Sequence, residues 1–166
     1  MVFFRILHIF GGIVWVGSVM FLALVIGPAV ARAGKDGAPL MLNLFGHSAL
    51  NRMAASAALL TTLAGLALYE RVSDTFDADW MSSAPGIVLS IGAVAGLLAF
   101  GHGFALSKYG EQMQKMAQNI LGAQGPLSDE QIASVQQIQR KLLVNSRISL
   151  GLLIIAVLGM SAARYL

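Results

Sequence analysis

VFFRILHIFGGIVWVGSVMFLALVIGPAVA, residues 2–31, carries only two ionisable side chains, Arg5 and His8. About 20 apolar residues suffice to cross the roughly 30 Å of bilayer hydrocarbon, so the stretch reads as a transmembrane helix. Ala29-Val30-Ala31 has the small residues of a signal-peptide cleavage site. The apolar run, however, is about twice as long as a signal-peptide core, which argues for a helix kept in the mature protein. His8 stands about two turns inside it. A ring nitrogen in hydrocarbon is costly unless something binds it, which makes His8 a functional-site candidate; the plain alternative is a core histidine donating to a backbone carbonyl.

Composition extends the membrane reading to the whole chain. Of 166 residues, 57% are hydrophobic and 11% charged, against about 25% charged in soluble domains. Mean hydropathy is +0.73. Further spans are expected at 51–69, with a leading turn from Asn43, at 85–106 and at 148–166. The expected fold is therefore all-α, a four-transmembrane-helix bundle forming one integral membrane domain over 1–166. Cysteine is absent, which excludes disulfides, thiolate metal sites and cysteine nucleophiles. The net charge of +3 is small and its basic residues are dispersed, so the lipid bilayer, not nucleic acid, is the expected partner. No carboxylate falls within a predicted span, which leaves a buried paired-carboxylate catalyst without its parts.

The connection over 107–147 is more than a loop. Met113, Met116 and Ile120 recur at helical spacing, and residues 122–126 read as a turn. Ser128-Asp129-Glu130-Gln131 then reads as a capping box opening a helix with the stripe Ile132, Val135, Ile138 and Leu142. Helices three and four are thus expected to leave the membrane as an antiparallel hairpin whose stripes bury each other. Arg32, Lys35, Arg52, Lys108, Lys115, Arg140, Lys141 and Arg147, eight of the 11 Lys and Arg, fall on the hairpin side. That bias predicts a cytoplasmic hairpin, with both termini outside a bacterial cytoplasmic (inner) membrane. The acidic loop from Glu70 to Ala84, flanked by Tyr69 and Trp80, suits an outward face.

Small residues recur along Gly92, Gly96, Ala99 and Gly103, and along Ala54, Ala58, Thr61 and Gly65, spacings that let helix backbones approach closely. The three histidines differ in depth. His8 lies about 9 Å inside its span from the terminal side, and His102 about 26 Å along the third span, too far apart to share one iron. His47 precedes the second span, in the leaflet of His102. Each of His8, His47 and His102 is a metal-ligand candidate. At the depth of His8 the other helices offer Thr61, Thr62, Ser90, Met160 and Ser161, of which Met160 is the one soft ligand. Gly12 and Trp15 follow His8 at offsets four and seven, placing a gap and an indole on its face, room for a flat cofactor.

The segment from Leu7 to Gly17, followed by Phe21 to Pro28, resembles the first helix of CopD-like bacterial membrane proteins and of HemJ-type protoporphyrinogen oxidases. It is most similar to their small uncharacterised four-helix relatives, a likeness that extends to Ala64-Gly65-Leu66-Ala67-Leu68-Tyr69, Ser83-Ala84-Pro85-Gly86 and Ala162-Ala163-Arg164-Tyr165-Leu166. In HemJ-type oxidases the Leu-His pair followed seven residues later by Trp supplies a haem-ligating histidine, which the resemblance maps onto His8. Those enzymes carry further basic residues in later helices that find no match here. A CopD-like copper role favours clustered ligands, whereas the eight methionines here are dispersed. Three readings stand: a b-type haem protein using His8 for redox or haem handling, a copper or other metal handling protein, and a cofactor-free scaffold or accessory subunit. A homo-oligomer or a membrane redox partner fits each of them.

Overall fold

The computed structural model describes residues 1–46, 49–121 and 126–166, and every element among them is helical. Four helices are long and apolar enough to cross a membrane, making this an all-α, multi-pass membrane protein. Helix α1 spans Val2–Phe21 and continues through a π-helical segment, Leu22–Ile26, into α2, Gly27–Ala33. Pro28 explains the widened turn. It has no N–H, and its ring would strike the carbonyl one α-turn back, so the rod loosens ahead of it and the Gly27 N–H bonds instead to Leu22 O, five residues earlier.

Gly34, at φ +58°, ends this rod in a conformation that only glycine adopts easily. Helix α3, Gly37–Gly46, follows. It lies where the sequence suggested only a connection and a leading turn. Ala38, Met41, Leu42 and Phe45, a stripe at offsets 0, 3, 4 and 7, are buried against the helices Ala84–Leu121 and Asp129–Ala162 in one core cluster with Met113, Ala117, Val135 and Leu142. The hairpin therefore buries its stripes against a third helix as well as against each other.

Helix α4, Ala49–Val72, leads into a tight loop and the short α5, Ala78–Ser82, which Asp77 caps by accepting from the Trp80 N–H at 2.8 Å. Helices α6, Ala84–Leu121, and α7, Asp129–Ala162, contain 38 and 34 residues. At 1.5 Å per residue these rods are about 57 and 51 Å long, so each crosses the hydrocarbon and projects well beyond it. The capping box of α7 forms as read: Ser128 Oγ accepts from the Gln131 N–H at 3.2 Å, and Gln131 Oε1 from the Ser128 N–H at 2.9 Å.

In the membrane layer the neighbouring pairs are α1/α4, α4/α6, α6/α7 and α7/α1, a square with α1 and α6 on one diagonal. A middle core cluster of Trp15, Val19, Ala23, Ala57, Ala58, Ala99, Leu150 and Leu153 fills the square at mid-height. The outward face of α1 is apolar, with Ile6, Ile9, Phe10 and Ile13 exposed, as hydrocarbon contact requires.

Candidate functional site

His8 projects from α1 toward α4. Its Nδ1 lies 2.8 Å from the carbonyl oxygen of Thr61. A carbonyl can only accept, so Nδ1 is the donor in this bond. Gly65, one turn beyond Thr61, makes the seat: a Cβ there would come within 2.8 Å of His8 Cε1 and 2.9 Å of Nδ1. Gly11 performs the reciprocal service, since a Cβ on it would strike Thr61 Oγ1. One ring nitrogen thus satisfies a backbone carbonyl, as the core-histidine reading expects, and the ring also forms part of the wall of a cavity.

That cavity, about 760 Å³, lies along the axis of the square on the side of the two termini. Its size falls within the range of about 300–1,000 Å³ typical of small-molecule sites. All four membrane helices line it, and the lining is mostly apolar. Three of its four vertical seams are closed by specific contacts. Gly11 and Gly65 bring α1 and α4 together. Tyr69 Oη and Ser90 Oγ, 2.5 Å apart, join α4 to α6. Gly92 and Gly159 let the backbones of α6 and α7 touch. The α1/α7 seam is closed on the hairpin side, by Trp15 and Val19 with Leu150 and Leu153 and by Gly27 against Leu143. Nearer the termini its cavity-lining residues stay open to the surroundings, with Ile9 60%, Ile13 66% and Val157 47% exposed.

Trp15, buried, lines the cavity on the hairpin side of His8. Its ring meets Phe100 of α6 edge-on, at 6.4 Å and 90°, across the diagonal of the square. Seven residues separate it from His8, giving about 10 Å of depth. Met160 of α7 lines the same space, with its Cε 3.7 Å from where a Cβ on Gly96 would stand. His8 rests against the α4 wall and Met160 against the α6/α7 wall, on opposite sides. Gly12 also lines the cavity, with only an ordinary approach to Thr61 Cγ2. His8, Gly12, Trp15 and Met160, named from sequence as one site, are all among the lining residues of this one cavity. Gly17 lines the cavity too, although a helical wheel places it opposite His8.

The other histidines stand elsewhere. His102 is half-buried beyond Phe100 on α6, is not part of the cavity wall, and has a buried Nδ1 with no hydrogen-bond partner. His47 lies outside the described residues. Among the described residues no three His, Cys, Asp or Glu side chains come together as a metal cluster. Sequence reasoning missed the seat at Gly65, read as helix packing; it weighed a histidine donating to a backbone carbonyl, and the structure supplies the partner, the carbonyl of Thr61. It also missed Arg5, which lines the mouth one turn ahead of His8. The spacing of three between Arg5 and His8 was the available signal.

Comparison of the chain with protein-family models, with curated proteins and with solved structures finds no match. The fold and the cavity define the class: a four-helix bundle of membrane-spanning length with a mostly apolar cavity whose wall, among the described residues, includes the imidazole of His8.

Proposed function

We propose that this chain is a small membrane protein of the bacterial cytoplasmic membrane that binds b-type haem through His8 and serves redox chemistry or haem handling. The observation that carries the reading is the Nδ1–H of His8 donating to the Thr61 carbonyl at 2.8 Å. Such a bond fixes the ring's orientation, as the partners of metal-binding imidazoles do. An apolar space open between α1 and α7 suits a macrocycle drawn from the bilayer, and Met160 on the far wall supplies a soft second ligand. Bound haem would supply a one-electron redox centre. The chain's own residues would hold it and shield it from water, with Trp15 part of the wall beyond His8. Resemblance of the Leu7–Gly17 segment to HemJ-type and CopD-like helices points the same way. A single imidazole favours haem over copper, whose handling draws on clustered ligands. The basic bias toward the hairpin supports a cytoplasmic hairpin with outside termini.

The test is the visible spectrum of protein purified after expression with haem supplied. Wild type should show a Soret band, and His8→Ala should lose most of it while eluting as a folded, monodisperse species. Equal haem content in the two proteins would overturn the assignment.

A further inference from the structure

We infer that Arg5 anchors an acidic group of the cavity's ligand, so that the ligand is an amphiphile whose carboxylate edge stands at the terminal-side mouth. This rests on the haem reading and specifies which edge of the macrocycle faces out. Arg5, Arg71 and Arg164 are the basic residues near this end of the bundle. Arg71 and Arg164 occupy the last turns of their helices, where the backbone dipole favours a cation. Arg5 is placed against that rule. It lies in the first turn of α1, where the dipole is positive, with no acidic residue in that turn.

Among the described residues no carboxylate pairs with Arg5, which is exposed and lines the cavity. Three residues separate it from His8, so the two positions share one helix face with a backbone rise of about 4.5 Å between them. A cation on a positive helix end, at the lip of an apolar cavity, is arranged for an anionic oxygen group. Two sources carry that chemistry in a bilayer: the carboxylate of a bound amphiphile and the phosphate of a lipid headgroup. The cavity beside Arg5 favours the first, and a guanidinium fits a carboxylate through paired hydrogen bonds.

The experiment titrates apo-protein in phosphatidylcholine nanodiscs with two probes, hemin and its dimethyl ester, which differ only in the acidic groups. Wild type should bind hemin at least about tenfold more tightly than the ester, the scale of one charge-assisted hydrogen bond. Arg5→Gln should abolish that preference with affinity for the ester unchanged, and Arg5→Lys should retain part of it. Arg71→Gln and Arg164→Gln should keep it in full. Equal binding of both probes by wild type would mean that Arg5 serves lipid phosphate alone, and would overturn this inference while leaving the His8 assignment intact. Failure of wild type to bind either probe would instead sink the haem reading, and this inference with it.

Discussion

Gly65→Ala is the smallest change that reaches the imidazole without touching it. The added Cβ would lie 2.8 Å from His8 Cε1 and 2.9 Å from Nδ1. To regain the roughly 3.5–4.0 Å of ordinary carbon contact, the ring has to retreat by about 0.7–1.2 Å. Thr61 and Gly65 are one turn apart on the same helix, so retreat from one is retreat from the other. The 2.8 Å bond to the Thr61 carbonyl then lengthens to about 3.5 Å or more, past hydrogen-bonding range. Two consequences of opposite character follow. Stability should change little, because the gain of about 1 kcal/mol for Ala over Gly in a helix offsets the loss of about 0.5–1.5 kcal/mol for the hydrogen bond. Cofactor affinity should fall about 10- to 100-fold, the usual effect of losing the group that orients a metal-binding imidazole. Hemin titration of the apo-protein, followed at the Soret band and paired with thermal melting, measures both. Gly101→Ala is the control, since a Cβ there meets nothing within 4 Å. Wild-type affinity in Gly65→Ala would refute the claim that the Thr61 bond prepares His8 as a ligand.

The α6/α7 contact is backbone on backbone, with a Cβ on Gly159 within 3.0 Å of Gly92 Cα and N and of Val88 O. Gly159→Val should therefore part the two helices and destabilise the protein by about 1–3 kcal/mol, read as a lower midpoint in a detergent denaturation series. Sidedness can be read by impermeant thiol labelling of spheroplasts, because the chain has no cysteine of its own. Asp79→Cys should react and Gln137→Cys should be protected; the reverse pattern would invert the proposed orientation. Both positions are exposed, whereas Ser73 in the same terminal-side loop is fully buried and bonded to Glu70 O and the Phe76 N–H. In that loop Asp74, Thr75 and Phe76 all have positive φ. Thr75→Gly should relieve about 1–2 kcal/mol of backbone strain, less about 0.5–1 kcal/mol of added chain entropy, and raise the melting temperature by a few degrees. An unchanged or lower value would show that the loop carries no such strain.

The sequence by itself determined the membrane class, four helices long and apolar enough to span, the helical hairpin between the last two and the capping box that opens α7. These depend on run length, periodicity and a four-residue motif, all local along the chain. The grouping of His8 with Gly12, Trp15 and Met160 was legible for the same reason, since three share one face of α1 and the fourth follows from depth. Helix α3 was written in the stripe Ala38, Met41, Leu42 and Phe45, but ten residues flanked and interrupted by Gly and Pro form a lasting helix only when tertiary packing covers the stripe. The orientation of His8 belonged to the tertiary structure alone. Its partner is a backbone carbonyl, a group that every residue possesses and no letter of the sequence marks. Its seat is a glycine, whose missing side chain serves helix packing and ligand space equally until the neighbouring helix is in place. The parted seam between α1 and α7, and the presence of Arg5 at its lip, were likewise decided only when four separately amphipathic rods settled which of their edges would meet.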